Sequence, residues 1–467
     1  MSIINKIFGV ENLIPKKYQT QPLPTSKEIY QKTLKIAWPS AMEAILISLI
    51  GAVDMMMVGG LGTNAIAAVG ITTQPKFLIM AFVFALNTGV TVIVSRRKGA
   101  NNQEGARKAL RNALVLSVGI SLISTIVGIV FSREILMFAG ANLDYINDAM
   151  AYFNIVLFGN FFYLISLTMT AAQRGVGNTK ISLITNVSAN VVNIIFNYLL
   201  INGIWIFPRW GVAGAAVATA MGNIVSLILA MYNLNKKDNF LHVDFKQDWS
   251  FDKETLVSIW KISSSSLIEQ VFIRIGFMMY AKAVAGLGTL QFATHYIVMQ
   301  VMSITFSTGD GLSIATSSLV GQSLGAKRTD LAYIHGKVSQ RIGMVISFSL
   351  AVLIILNRNL IISLFSSDPE IIKLGANILI ILCFIIQFQI AQVITVGSLR
   401  GAGDVKFVAM LSLVSVTILR PLLTFFLAYT LNFGLYGAWF SVVFDQMIRY
   451  YVGRYRFKKA EWVKIEV

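Results

Sequence analysis

Four polar side chains in the first half of the chain have the types and spacing of a small cation site. Asn193 and Asn197 are four residues apart, so on a helix both amides project from one face. Asp54 and Thr219 add a carboxylate and a hydroxyl within otherwise apolar stretches. Such oxygen donors suit a hard cation such as Na⁺, whereas a desolvated carboxyl can instead hold a proton. The alternative is that the amides only hydrogen-bond between helices, but the nearby acid favours a site for H⁺ or Na⁺.

The second half carries a different set of ionisable groups in apolar surroundings. Glu269 has a like-positioned counterpart, Glu43, and we expect both to approach a cavity between the two halves. A carboxylate there can meet a cationic substrate or take up a proton. Arg274 or His295 can instead neutralise Glu269, and this alternative stays open at the level of sequence.

Two further features of the apolar stretches concern helix packing. Arg420 and Asp445 lie at similar depth in neighbouring predicted helices, which indicates a buried ion pair with a structural role. Pro39 precedes Glu43 on the first predicted helix, where a proline removes one helical hydrogen bond and permits a kink.

The elements that position these residues must be membrane helices. Of the 467 residues, 55% are hydrophobic and 13% are charged, against about 25% charged in a typical soluble domain. Apolar stretches of about 20 residues recur, which is the length that crosses a bilayer core of about 30 Å. The sequence therefore predicts an all-α integral membrane protein with twelve transmembrane helices. The single cysteine, Cys383, predicts neither a disulfide nor a thiolate metal cluster, and we expect no cofactor.

The net charge of +17 is distributed asymmetrically along the chain. Counted over both tails and alternate connections, 30 of the 39 Lys and Arg residues fall on one side of the predicted membrane. Lys76 is among the five assigned to the other side. This is the positive-inside pattern, so we expect a multi-pass protein of the cell membrane with both termini in the cytoplasm. A nucleic-acid partner is excluded because the charges follow the membrane topology.

An internal repeat organises the chain. When the sequence is shifted along itself by one constant offset, several separate blocks superimpose without a gap. These blocks are Gly60-Leu61-Gly62-Thr63 on Gly286-Leu287-Gly288-Thr289, Gly99-Ala100 on Gly325-Ala326, Arg174-Gly175-x-Gly177-x-x-Lys180 on Arg400-Gly401-x-Gly403-x-x-Lys406, and Gly211 on Gly437. The Arg-Gly-x-Gly-x-x-Lys block is best interpreted as a turn with two cations that anchor at the headgroups.

The repeat predicts two six-helix lobes with the same orientation in the membrane. The predicted divisions are a cytoplasmic tail (1–32), an N-lobe (33–234), a linker (235–256), a C-lobe (257–452) and a second tail (453–467). The chemistry is not repeated, because the same shift places Asp54 on Tyr280, Asn197 on Leu423 and Thr219 on Asp445. The ion site is therefore expected in the N-lobe.

The chain resembles the multidrug and toxic compound extrusion (MATE) family over nearly its whole length. The segments that carry the resemblance are Trp38-Pro39, Val53-Asp54-Met55-Met56-Met57-Val58-Gly59-Gly60-Leu61-Gly62, Gly211-Val212-Ala213-Gly214-Ala215-Ala216, Ile268-Glu269, Ala293-Thr294-His295 and Gly397-Ser398-Leu399-Arg400-Gly401-Ala402-Gly403. The resemblance implies two lobes around a central V-shaped cavity, alternating access, and efflux of drugs or organic cations in exchange for H⁺ or Na⁺.

The resemblance also implies roles for single residues. Asp54 and Pro39 match the aspartate and proline of the family's first helix, Asn193 and Asn197 match its helix 5 pair, and Thr219 matches its helix 6 hydroxyl. Glu269 matches the helix 7 acid of a subfamily that couples through the C-lobe. That subfamily has an aspartate in helix 10 where this chain has Gln389, which weakens the case for a C-lobe ion site.

The leading hypothesis is thus an antiporter for a cationic, amphiphilic small molecule, working as a monomer among membrane lipids. The alternative is a flippase for lipid-linked precursors or oligosaccharides, whose cavity would need several inward-facing cations. The intramembrane cations here are few and lie mostly beside acids. No zinc-protease or phosphate-binding motif is present, so an enzyme is not expected.

Overall fold

The computed structural model describes residues 9–10, 13–14, 19, 21–59, 61, 63–141, 143–243, 249 and 251–465. Over these ranges the chain forms long helices and no strand. The helices are α1 (Ser26–Gly59), α2 (Thr63–Gly99), α3 (Gln103–Val130), α4 (Ile146–Gly175), α5 (Thr179–Asn202), α6 (Gly211–Leu234), α7 (Lys253–Ala285), α8 (Thr289–Gly325), α9 (Thr329–Ser363), α10 (Pro369–Gly401), α11 (Val405–Thr430) and α12 (Gly434–Lys459). A short helix, Ser132–Phe138, joins α3 to α4.

Nine of the described helices are long and apolar enough to cross a membrane. They are α1 to α6 and α9 to α11. Helices α7, α8 and α12 are of similar length, but their composition does not meet the same limit for a membrane span. The protein is therefore an all-α integral membrane protein. That all twelve helices span the bilayer remains a prediction.

Side chains close the ends of several helices where the sequence supplies suitable groups. Thr25 and Glu28 form a reciprocal capping box at the start of α1, with N···O distances of 2.9 and 3.3 Å. Asn102 accepts from the Gly105 N–H at 2.8 Å and so begins α3. These caps satisfy N–H groups that lack a partner in the first turn of a helix.

The structure confirms the direct repeat over most of its length. The offset that relates the sequence blocks also relates helices α2 and α8, at both their first and their last residues. A Cβ atom added at Gly175 would lie 3.0 Å from the Thr91 carbonyl oxygen, and one at Gly401 would lie 2.3 Å from that of Ser317. These are matching positions, so the same close crossing of two helices occurs in each copy.

Replacing Gly401 by alanine is expected to destabilise the protein by about 1–3 kcal/mol, because the added methyl group would collide with the backbone of α8. The thermal unfolding midpoint of the purified protein in detergent measures the effect. Gly119→Ala in α3 is the matched control, because its Cβ meets nothing within 4 Å and the helix gains up to about 1 kcal/mol. An equal response of the two variants would contradict the close crossing.

The repeat changes register in its last two helices. Helices α5 and α11 keep the common offset at their first residues, Thr179 and Val405, whereas α12 begins at Gly434, before the position that the offset assigns to Gly211 of α6. Helix α11 contains two π-helical segments, Leu413–Leu419 and Phe426–Thr430, and such segments insert residues into an α-helix. The connection after α11 is also shorter than the connection after α5.

Two glycine contacts establish the corrected correspondence. A Cβ at Gly214 would lie 2.6 Å from the Leu200 carbonyl oxygen, and one at Gly437 would lie 2.7 Å from that of Leu427. Gly437 is therefore the counterpart of Gly214, and the predicted match of Gly211 with Gly437 was wrong.

The same shift changes the matches of the candidate site residues. Thr219 does not correspond to Asp445 when the last helices are compared in the new register. Asn197 likewise does not correspond to Leu423, because Leu200 of the same helix is matched by Leu427 and not by Phe426. The predictions were wrong because a comparison of the two halves without gaps cannot detect a residue that is inserted within a helix.

The chain divides into two compact units, and each division falls inside a long helix. Unit 1 comprises Met1–Ala44 and Ser264–Val467, and unit 2 comprises Ile45–Ser263. The predicted lobes, 33–234 and 257–452, follow the sequence repeat instead, and their boundaries remain predictions. Gly60 and Gly62 of the first Gly-Leu-Gly-Thr block lie outside the described residues.

The first part of α1 is built into the core of unit 1. Ile36 and Ala37 belong to a buried apolar cluster with residues of α8, α10 and α12, including Trp439. A Cβ at Gly311 of α8 would lie 2.5 Å from the Ser40 carbonyl oxygen, so the backbones touch just after Pro39. The helix continues through Pro39, and a kink at that residue remains a prediction.

Candidate functional site

Unit 2 brings the four predicted ion-site residues together. The Asn197 side-chain amide on α5 donates to Asp54 Oδ1 on α1 at 2.8 Å. Asn193, one turn earlier on α5, lies between Asp54 and Thr219 of α6. Asn193 and Asn197 are buried, while Asp54 is half-buried. Three helices therefore meet in one polar cluster, in which α5 contacts the Asp54 carboxylate of α1 and α6 contacts Asn193.

The orientation of the Asn193 amide follows from its neighbours. An ionised carboxylate offers only acceptors, so the amide nitrogen must face Asp54. In that orientation Asn193 donates to Oδ1 and Oδ2 of Asp54 at 2.8 and 3.1 Å. Its oxygen then faces the backbone N–H of Thr219 at 3.1 Å and the Thr219 hydroxyl at 3.2 Å. The Asp54 carboxylate is thus held by two amide donors.

A glycine allows α6 to come close enough to complete this cluster. A Cβ at Gly222 would lie 2.7 Å from the Ala189 carbonyl oxygen and 3.1 Å from Asn193 Cβ. A side chain at this position would separate α6 from α5. Thr219, one turn earlier on α6, would then lose its contact with Asn193.

One acceptor in the cluster has no donor. Asn197 Oδ1 is buried and makes no hydrogen bond with any described residue. Buried polar atoms are nearly always paired, and leaving one unpaired costs about 1–3 kcal/mol. An oxygen of this kind beside a carboxylate fits the ligand chemistry of a hard cation.

Lys76 provides a positive charge near the same cluster. The sequence assigned this residue to the outer side of the membrane, but it lies well inside α2, in a part of the helix apolar enough to span the bilayer. The assignment of Lys76 to the outer side of the membrane remains a prediction. The Lys76 ammonium and the Asp54 carboxylate attract each other electrostatically.

Glu269 in unit 1 forms an ion pair that the sequence did not predict. Its Oε1 accepts from Arg400 at the end of α10 at 2.6 Å and from the Ser412 hydroxyl of α11 at 3.3 Å. The predicted alternatives, Arg274 and His295, are not its partners in this ion pair. Arg274 is exposed while Glu269 is fully buried, because residues five apart on a helix project in different directions.

Glu269→Gln is expected to lower the free energy of unfolding by about 2 kcal/mol, because Arg400 loses its charged acceptor. Thermal unfolding of Glu269→Gln, Arg400→Gln and the double variant forms a cycle that isolates the pair. Glu370→Gln changes an exposed glutamate of the same unit and serves as control. Strict additivity of the two single changes would show that the pair contributes nothing.

Arg420 and Asp445 form the predicted buried ion pair within unit 1. Both side chains are at most 1% exposed. Asp445 also accepts from the Ser415 hydroxyl, and Arg420 lies over the Phe277 ring at 5.1 Å. The two buried charges neutralise each other, as expected of a structural pair, and Arg420 Nε has no hydrogen-bond partner among the described residues.

The remaining predicted residues of unit 1 are buried in separate places. Glu43 is 5% exposed on the first part of α1. Gln389 Oε1 on α10 accepts from the Thr305 hydroxyl at 3.3 Å. His295 packs in an aromatic group, with ring centroids 5.4 Å from Tyr280 and 5.5 Å from Trp439. The cavity that was predicted to join Glu43, Glu269, Arg274, His295 and Gln389 remains a prediction.

Comparison with known proteins places the chain in a family. The family model MatE matches residues 39–199 and 266–426, one copy of the repeat each, and together more than half of the chain. The chain belongs to the MatE family. Multi-pass membrane transporters for multidrug efflux make up this family, as the resemblance implied.

Relatives of this MatE transporter match it over nearly their whole length. An uncharacterized transporter, YisQ of Bacillus subtilis, is 27% identical over 92% of this chain and 94% of its own. A probable multidrug resistance protein, NorM of Thermotoga maritima, is 27% identical over 94% of both chains. A solved outward-facing structure of a multidrug resistance MATE family transporter has a TM-score of 0.87 at 21% identity, covering 93% of this chain and 97% of its own. The last comparison shows the same fold.

Sequence reasoning missed the role of one charged residue of this MatE transporter. Arg400 was interpreted as a headgroup anchor, but within unit 1 its guanidinium meets the buried acid Glu269. Its counterpart in the repeat, Arg174, lies 2.9 Å from the Ser182 hydroxyl. The sequence carries no local signal of the Arg400–Glu269 pair, because 131 residues separate the two side chains.

Proposed function

We propose that this MatE transporter exports drugs or organic cations in exchange for H⁺ or Na⁺, by alternating access, and that the coupling ion binds at Asp54. The observation that carries this proposal is the convergence of Asp54, Asn193, Asn197 and Thr219 within unit 2. The antiport mechanism and the ion are inferences from this chemistry.

The hydrogen bonds of the cluster suit the ion-free state. Two amide nitrogens donate to the Asp54 carboxylate, which stabilises its ionised form. A half-turn of the Asn193 amide presents its oxygen to an arriving Na⁺, and the unpaired Asn197 Oδ1 supplies another ligand. A proton needs only the carboxylate. Either ion neutralises the negative charge of Asp54. If the ion binds one conformation of the transporter more tightly than the other, its binding shifts the equilibrium between the two conformations.

The paired cations of unit 1 support an exporter over a flippase for lipid-linked precursors. Arg420 is neutralised by Asp445, and Arg400 by Glu269, so neither is available to hold a polyanionic substrate. We further propose that the substrate is a cationic amphiphile, that the transporter acts as a monomer in the cell membrane, and that both termini are cytoplasmic, following the distribution of Lys and Arg.

Transport by purified protein in liposomes tests the proposal. A pH gradient and a Na⁺ gradient are imposed separately, and the efflux of cationic, neutral and anionic amphiphiles of similar size is measured. The expected result is that one gradient drives efflux of the cations and that substrate efflux is matched by ion entry. Efflux that ignores both gradients, or that prefers anions, would overturn the proposal.

A further inference from the structure

A basic pocket lies within unit 1, between the beginning of α9 and the end of α12. Its volume is about 380 Å³, and its lining includes Lys337 and Arg341 of α9 and Arg454 and Lys458 of α12. Among the described residues, no aspartate or glutamate lines it. We call these four residues the basic quartet.

The charges of the basic quartet are not neutralised by the described part of the chain. None of the four forms an ion pair there. Arg341 donates to the Gly9 carbonyl and the Tyr30 hydroxyl, both at 3.3 Å, and Arg454 donates to the Tyr450 hydroxyl at 2.9 Å. Those partners are neutral. Four cations around one cavity repel each other, so an anion in the pocket would stabilise them.

The pocket changes in character along the two helices. On α9, Tyr333, Lys337, Arg341 and Met344 follow at intervals of three or four residues and so share one face. On α12, Tyr450, Arg454 and Lys458 do the same. Both faces carry cations near the helix end, while Met344 and Tyr450 lie further along each helix towards its middle. Met344 is 56% exposed, as expected for a side chain that meets lipid tails.

The pocket is basic near the helix ends and apolar towards the middle of the helices. This arrangement matches the charged headgroup and the apolar acyl chains of a phospholipid. We propose that the pocket binds the phosphate of an anionic phospholipid, with the basic quartet around the headgroup and the acyl chains along α9 and α12. Under the proposed topology the pocket lies at the cytoplasmic surface, where basic pockets between membrane helices bind anionic lipids. A free phosphate ion shares the chemistry of the headgroup but would gain nothing from the apolar part of the pocket.

The test uses the full chain in neutral detergent and native mass spectrometry with dioleoylphosphatidylglycerol, dioleoylphosphatidylcholine or inorganic phosphate as probe. The expected result is selective retention of phosphatidylglycerol. Lys337→Gln with Arg454→Gln should weaken its binding by about thirtyfold, since each cation contributes about fivefold. Lys236→Gln with Lys237→Gln removes the same charge from an exposed stretch after α6 and should bind as the unmodified protein does.

Three outcomes would overturn the proposal. They are equal binding of the two lipids, equal binding by the pocket variant and the control variant, and protection from thermal unfolding by inorganic phosphate that matches the protection by phosphatidylglycerol. If the double variant does not fold, the single change Lys458→Gln at an exposed position replaces it. That variant should lose about fivefold in affinity, and unchanged affinity would also overturn the proposal.

Discussion

Replacing Asp54 by asparagine is expected to abolish ion-driven export while leaving the yield of folded protein unchanged. Asparagine has nearly the same shape and can still bond to Asn193 and Asn197. It cannot take up a proton, and it binds Na⁺ without the attraction of a full negative charge. Efflux from liposomes under the driving gradient should therefore fall to the level of liposomes without protein.

A matched variant separates the site from a general effect of charge. Asp238→Asn makes the same chemical change at an exposed position after α6, and we expect it to leave export unchanged. The thermal unfolding midpoint of both variants reports whether they are folded. Gradient-driven export by a folded Asp54→Asn protein would contradict the assignment of the coupling ion to this cluster.

Breaking the Arg420–Asp445 pair is expected to cost more stability than any other single change considered for unit 1. Asp445→Leu leaves a guanidinium that is 1% exposed without its counter-charge, and such an unpaired buried charge costs about 3–5 kcal/mol. A large drop in the thermal unfolding midpoint and in the yield of folded protein should follow.

The double variant Arg420→Met with Asp445→Leu tests the cause of that loss. Apolar residues of similar volume often replace a buried pair at little cost, so the double variant should recover most of the stability. If the pair is structural, the recovered protein should also export. A double variant as unstable as the worse single variant would show that the rings of Phe277 and Tyr280 need the guanidinium itself.

The sequence was sufficient to predict the ion cluster because its members carry their own signals. Two amides one helical turn apart, a carboxylate and a hydroxyl in apolar stretches are all visible without a structure. The sequence could not show that Asn197 Oδ1 lacks a donor, because this depends on the rotation of a side chain about its own axis. It also could not show that Gly222 is what permits the close approach of α6.

The partner of Glu269 was not predictable for a different reason. Arg400 is 131 residues away in the chain, and only the packing of α10 against its neighbours brings its guanidinium to the acid. Arg274, which is close in sequence, was considered as an alternative because nearness along a helix is easy to calculate. The all-helical membrane architecture and the repeat were simpler to predict, because hydrophobic length and a constant offset are properties of the whole sequence.

When one residue is inserted into an α-helix, every later residue is displaced by about 100° around the helix axis from the position it has without the insertion. Beyond the first π segment of α11, Arg420 stands where α5 has Asn193, and Asp445 of α12 stands where α6 has Gly222. The second copy thus has a pair of opposite charges where the first copy has an amide packed against a glycine. The two copies of the repeat have therefore diverged by insertion as well as by substitution. The second copy contains its counter-ion as a side chain, whereas the first, under the proposed function, binds an ion from the surrounding solution.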